Sequence, residues 1–149
     1  MLNDAVCELG IGLLFALLRR LPKADLFVRS GEWQEQAFPV TTTLAGKTVG
    51  IVGLGRIGLD LARRLEAFGV TIAYTGPSAK KCAYTFYSSA VALAEVADVI
   101  ILTCPGGPET EGMIDAAVLN ALGPNGYLIN IARGSVIDES ALISALQQN

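Results

Sequence analysis

The chain has 149 residues, 52% hydrophobic and 17% charged, which suits one domain with an ordinary core and disfavours disorder. Eleven basic against fourteen acidic side chains give a formal charge of −3 with no basic block, so a nucleic-acid surface is disfavoured. Histidine is absent, so no catalytic step within this chain can use an imidazole, and the three cysteines form no C-x-x-C pair. Their odd number suits a reduced, cytoplasmic setting, and no metal site is expected.

The first predicted element is a helix capped by Asn3 or Asp4 and running to about Arg20. Leu9, Leu13, Leu14, Leu17, Leu18 and Leu21 are expected on its apolar side. The stretch Leu9–Leu18 is too short to span a bilayer, and Asp4 and Glu8 precede it where a signal peptide needs positive charge. It reads as a buried helix. Pro22 opens a second, shorter helix carrying Leu26 and Phe27 and ending at Ser30-Gly31. Residues 31–45 lack periodicity and form a connector, in which Trp33 is expected to pack, against this chain or another subunit.

From Lys47 onward strands and helices alternate. Thr48–Val52 reads as a strand, Ile57–Phe68 as an amphipathic helix, Val70–Tyr74 as a second strand and Tyr84–Tyr87 as a short third. Ser88 or Ser89 caps a helix through Ala97, and Val99–Thr103 is a fourth strand. Asp115 caps Ala116–Leu122, Gly123–Gly126 turns, Tyr127–Ile131 is a fifth strand, and Asp138 with Glu139 opens a last helix, Ser140–Gln147. This pattern predicts an α/β fold, a Rossmann-type doubly wound parallel sheet of order 3-2-1-4-5 without its sixth strand. Residues 1–43 are expected to pack on it as helices and connector, and 44–149 to form the nucleotide-binding domain.

Between the first strand and its helix stands Gly53-Leu54-Gly55-Arg56-Ile57-Gly58, a G-x-G-x-x-G turn. The first glycine allows a tight turn, the second lets backbone approach a pyrophosphate, and the third lets helix pack on strand. The helix N-terminus then presents amides and a positive dipole end to the anion. Ligands in such sheets bind beyond the carboxyl ends of the strands. Three more segments fall on that rim: Thr75-Gly76-Pro77-Ser78, Cys104–Pro108 (including Pro105 and Gly106) and Ala132–Ser135.

The Thr75–Ser78 segment bears on cofactor choice. An NAD site places a carboxylate about twenty residues beyond the glycine turn, for the ribose diol. No acidic residue occurs between Glu66 and Glu95; the loop offers Thr75, Ser78, Lys80 and Lys81 instead. Hydroxyls and ammonium groups attract a 2′-phosphate, which favours NADP(H) over NAD(H). The alternative is that Lys80 and Lys81 are only solvated loop charges. Arg133, flanked by Ala132 and Gly134, has two readings of its own. It can grip a carboxylate or polarise a carbonyl as hydride arrives, or it can bind phosphate or a helix carbonyl.

Leu44–Gly58 resembles the opening of the coenzyme domain of D-isomer-specific 2-hydroxyacid dehydrogenases, and Asn130–Glu139 is similar to that family's second signature. Cys104-Pro-Gly-Gly-Pro-Glu-Thr110 is similar to the nicotinamide-facing stretch of its glyoxylate/hydroxypyruvate reductase branch. The resemblance implies reduction of 2-oxo acids to 2-hydroxy acids with a nicotinamide cofactor. It implies that Arg133 holds the substrate, that Gly53, Gly55, Arg56, Ile57 and Gly58 form the pyrophosphate turn, and that Pro105, Thr110 and Ile131–Arg133 line the coenzyme.

The family's catalytic Glu and His, and its substrate domain, have no counterpart here, so the chain is expected to be the inner portion of a longer enzyme. Alone, it should lack reductase activity. Leu128–Ile131 would then form an apolar sheet edge, and a homodimer or higher oligomer is expected. A non-catalytic nicotinamide-sensing or dimerisation module of corepressor type is the competing reading. A methyltransferase would leave Arg133 and the Pro-Gly-Gly-Pro loop unexplained.

Overall fold

The computed structural model describes residues 2–148; Met1 and Asn149, the outer limits of the two expected units, lie outside the described residues. Five parallel strands form one sheet of order β3-β2-β1-β4-β5, the order expected from the alternating pattern. They are β1 (Thr48–Val52), β2 (Thr71–Thr75), β3 (Thr85–Tyr87), β4 (Val99–Leu102) and β5 (Tyr127–Asn130). The helices are α1 (Leu2–Leu18), α2 (Leu21–Arg29), α3 (Arg56–Leu65), α4 (Ala90–Ala94), α5 (Ala116–Leu122) and α6 (Glu139–Gln147).

The central strands are apolar on both faces because helices cover both. On one face Val49, Ile51, Val99 and Ile101 pack with Leu14 and Leu18 of α1 and Leu61 and Leu65 of α3. On the other, Val52, Ile100 and Leu102 pack with Leu93 of α4 and Val118 and Leu119 of α5. Burying such side chains contributes about 1.5–3 kcal/mol each, offset by the entropy of ordering the chain.

Side-chain caps start three helices: Ser89 Oγ accepts from Ala92 N–H, Asp115 from Val118 N–H and Asp138 from Ala141 N–H. The expected cap at Asn3 or Asp4 is not formed. Both residues lie inside α1, where Asn3 bonds Asp60 and Asp4 pairs with Arg64, tying α1 to α3. Pro22 stands in the first turn of α2, one residue later than expected, and α4 ends at Ala94 instead of Ala97.

Of the six leucines expected on the apolar side of α1, four lie elsewhere. Leu14 and Leu18 are buried, whereas Leu9, Leu13, Leu17 and Leu21 are exposed. The face turned inward carries Cys7, Gly10, Leu14 and Leu18 because Gly10 brings the helix against Ile131; a Cβ there would lie 3.0 Å from Ile131 Cδ1. Along the free edge of β5 runs a cleft of about 550 Å³, flanked by Leu17, Leu128, Leu142 and Leu146. Among the described residues no helix is long and apolar enough to cross a membrane.

Candidate functional site

The glycine turn joins β1 to the ten-residue α3, and its three glycines do different work. Gly53 has φ +94°, and a Cβ there would sit 2.7 Å from the Cys104 Cα. A Cβ on Gly58 would sit 2.5 Å from the Gly53 carbonyl oxygen and 2.8 Å from Thr103 Oγ1. These two glycines let β1, β4 and α3 come together. At Gly55, by contrast, nothing lies within 4 Å of a Cβ, so that side of the residue is open, while its N–H donates to the Gly53 carbonyl at 2.8 Å. The amides of Arg56, Ile57 and Gly58 open α3, with no carbonyl in a preceding turn to accept from them.

Two hydrogen bonds tie Gly53 to the neighbouring strand ends. Gly53 N–H donates to the Thr75 carbonyl at 2.9 Å, and Thr103 Oγ1 donates to the Gly53 carbonyl at 2.7 Å. The first extends pairing at the end of β2, so the strand runs to Thr75 and starts one residue later than the apolar pattern suggests. Thr75 is therefore a buried strand residue and not the head of a ligand loop.

In front of Gly55 opens a cleft of about 800 Å³, bounded by Gly55–Ile57, Thr103–Gly107 and Ile131–Ser135. Three segments predicted to meet at the rim do meet there. The lining includes Arg56 and Arg133 and no acidic residue, so it favours an anion. Cys104 forms part of the wall. Burial pushes its thiol up from the ordinary cysteine value, so it stays neutral and does not oppose a phosphate.

Arg133 follows β5 on a short loop held from within. Asn130 Nδ2 donates to the Arg133 carbonyl at 2.9 Å, and Asn130 Oδ1 accepts from Ala132 N–H at 2.9 Å. Arg133 Nη1 donates to the Ala132 carbonyl at 2.8 Å. The opposite loop leaves room for the side chain: a Cβ on Gly106 would lie 2.9 Å from Arg133 Cγ.

Of the predicted site residues, Gly55, Arg56, Ile57, Cys104, Pro105, Gly106, Ile131, Ala132 and Arg133 line the cleft. Gly53 and Gly58 stand behind it as packing residues, and the Leu54 side chain is buried in the core. Thr110 is outside the lining, its hydroxyl donating to the Pro105 carbonyl at 2.7 Å and so stapling the loop. Gly76, Ser78 and Lys80 follow β2 at the same rim without joining the lining. Sequence reading gave no site role to Thr103 or Asn130; the only signal was a small polar residue at the end of an apolar strand.

Residues 11–149 match the family model described as "D-isomer specific 2-hydroxyacid dehydrogenase, NAD binding domain". The chain belongs to this family. It is 49% identical over 146 residues to a hydroxyphenylpyruvate reductase of Plectranthus scutellarioides, covering 97% of this chain and 47% of that protein. It is 46% identical over 148 residues to a glyoxylate/hydroxypyruvate reductase A of Arabidopsis thaliana, covering 99% and 47%.

Among solved structures, an NADPH-dependent glyoxylate/hydroxypyruvate reductase from Sinorhizobium meliloti, in complex with NADP and malonate, superposes with a TM-score of 0.94 at 47% identity. That match covers 98% of this chain and 47% of that one. The chain thus spans about half the length of the curated relatives it matches, and the half in question is the family's Rossmann-type NAD-binding domain.

Proposed function

We propose that the chain is the dinucleotide-binding half of a reductase that converts small 2-oxo acids, of the glyoxylate or hydroxypyruvate type, to 2-hydroxy acids, with NADP(H) favoured over NAD(H). In this reading residues 44–149 are the binding unit and residues 1–43 its helical support. One observation carries it: Gly55, with open space where a side chain would stand, and Arg133 line the same cleft.

The nicotinamide cofactor, when bound, supplies or accepts the hydride. This chain's residues bind and orient. The amides that open α3 donate to the diphosphate, with the Arg56 charge beside them. Pro105 and Ile131 keep water from the ring, and Arg133 holds the carboxylate or polarises the oxo group. Ser78 and Lys80 answer a 2′-phosphate. The NADP-bound Sinorhizobium relative supports that preference.

No histidine occurs among the 149 residues, so in this reading the proton for the reduced oxygen comes from outside the chain. The isolated chain is expected to show negligible turnover of glyoxylate or hydroxypyruvate. Robust steady-state reduction by the purified chain would overturn that expectation.

Calorimetric titration with NADPH and NADH tests the central proposal. Saturable binding of both is expected, with NADPH tighter. Folded protein that ignores both at millimolar concentration sinks the reading, and tighter NADH binding removes the NADP preference alone.

A second reading, a nicotinamide-sensing or dimerisation module, is favoured by the exposed row Leu9, Leu13 and Leu17 on α1. It predicts that NADPH changes the number of associated subunits. Either way the partner on that surface is taken to be a second copy of this chain.

A further inference from the structure

Tyr74 lies in β2, paired in register with Ile51 of β1 and Phe86 of β3, and is 1% exposed. Its ring packs at 5.4 Å from that of Phe86. Phenylalanine would fill this space as well; the hydroxyl needs another explanation, because a buried phenol requires a partner. It accepts from Lys80 N–H at 2.6 Å and stands 3.5 Å from the Lys80 carbonyl. That carbonyl also accepts from Cys82 N–H at 2.9 Å, which closes a tight turn around Lys80 and Lys81. A second tyrosine secures the far end of the same loop, Tyr84 donating to Glu66 Oε1 at 2.7 Å.

The loop from Pro77 to Ala83 is exposed throughout, yet its backbone is pinned from inside the core at Lys80. An ammonium on a freely moving loop loses part of its attraction for a phosphate to the cost of ordering the loop; one on a fixed backbone does not. We propose that the Tyr74 hydroxyl is a positioning group for 2′-phosphate recognition, holding the Lys80 backbone so that the 77–83 loop is preorganised for NADP(H). This rests on the NADP(H) reading above. Tyr74 touches no ligand itself; it acts through Lys80.

The test is calorimetry with NADPH and NADH on the unmodified chain, Tyr74→Phe, Lys80→Ala and the double variant. Tyr74→Phe is expected to lower the NADPH-over-NADH preference about fivefold, the worth of one hydrogen bond, with NADH affinity unchanged. In the Lys80→Ala background the same change should have less than about a twofold effect, because the two residues act as one unit.

An unchanged preference in Tyr74→Phe, equal weakening of both dinucleotides, or an equal loss in both backgrounds would overturn the inference. If the unmodified chain shows no NADPH preference, the NADP(H) reading falls and takes this inference with it. A retained preference that ignores Tyr74→Phe defeats the Tyr74 role alone. Amide exchange in the unmodified chain gives a check that needs no variant. The Lys80 N–H is expected to exchange more slowly than those of Ala79 and Lys81, and equal rates would contradict the anchor.

Discussion

Asn130 closes β5 and, through its side-chain amide, holds the carbonyl of Arg133 three residues later at 2.9 Å, with Ala132 N–H bonded back to the same side chain. The loop that carries the guanidinium is therefore set by a residue that never enters the cleft lining. Asn130→Ala removes both bonds and is expected to lower stability by about 1–2 kcal/mol and weaken NADPH binding several-fold. Asn130→Asp keeps the acceptor and loses the donor, so its stability should fall between the two. Chemical denaturation and calorimetry check both variants.

The glycine turn separates binding from packing. Gly55 faces open space, so Gly55→Ala should change stability by no more than about 0.5 kcal/mol while weakening NADPH binding at least tenfold. Gly58→Ala drives a methyl into the Gly53 carbonyl, at 2.5 Å, and is expected to cost about 1–3 kcal/mol. Equal stability of the two variants in thermal melts would contradict this division.

Arg20, between α1 and α2, is the one non-glycine residue with positive φ among those described, at φ 51° and ψ 41°. The left-handed region costs an L-residue about 1–2 kcal/mol, which glycine avoids. Arg20→Gly should raise stability by a few tenths to about 1 kcal/mol, after the added freedom of the unfolded chain is subtracted. A lower melting temperature in the variant would contradict it.

At the amino ends of the strands, opposite the cleft, Asp98 accepts from Thr48 N–H at 2.8 Å and pairs with Lys47 at 3.1 Å. Burial pushes its carboxyl up, but the Thr48 amide and the Lys47 ammonium outweigh it and hold the group below its ordinary value of 3.8. A depressed carboxylate stabilises the fold above the unfolded value and loses that contribution as pH falls through the folded one. The melting-temperature gap between the unmodified chain and Asp98→Asn should therefore be full near neutral pH and close below about pH 3.8. A gap that persists in strong acid would refute the linkage.

Among the described residues strand β5 pairs only with β4, and the 550 Å³ cleft beside it is flanked by Leu17, Leu128, Leu142 and Leu146. An unpaired apolar edge is a template for another chain. Leu128→Lys is expected to shift sedimentation toward a smaller species. An unmodified chain that stays monomeric at high concentration would remove the premise.

The sheet order was legible because apolar strands alternate with amphipathic helices, a pattern with few topological solutions. The glycine turn was legible because no other residue type fits Gly53 and Gly58. Helix α1 misled because leucine is abundant on all its sides; burial is decided by Gly10, which contributes nothing to a hydrophobic count. Asn130 acts through bonds two and three residues on, for which a polar residue at a strand end is a weak signal, whereas Thr103 and the hydroxyl of Tyr74 bond backbone that no local spacing announces.

Because Gly10 lets α1 touch Ile131, and Cys7 Sγ reaches the Ile57 carbonyl at 3.7 Å, the first helix forms the rear wall of both loops that frame Arg133 and Arg56. Cutting at Leu44 to transplant the nucleotide fold into another protein would strip that wall away. The smallest portable unit begins with α1, and engineers who graft this domain must carry the helix along.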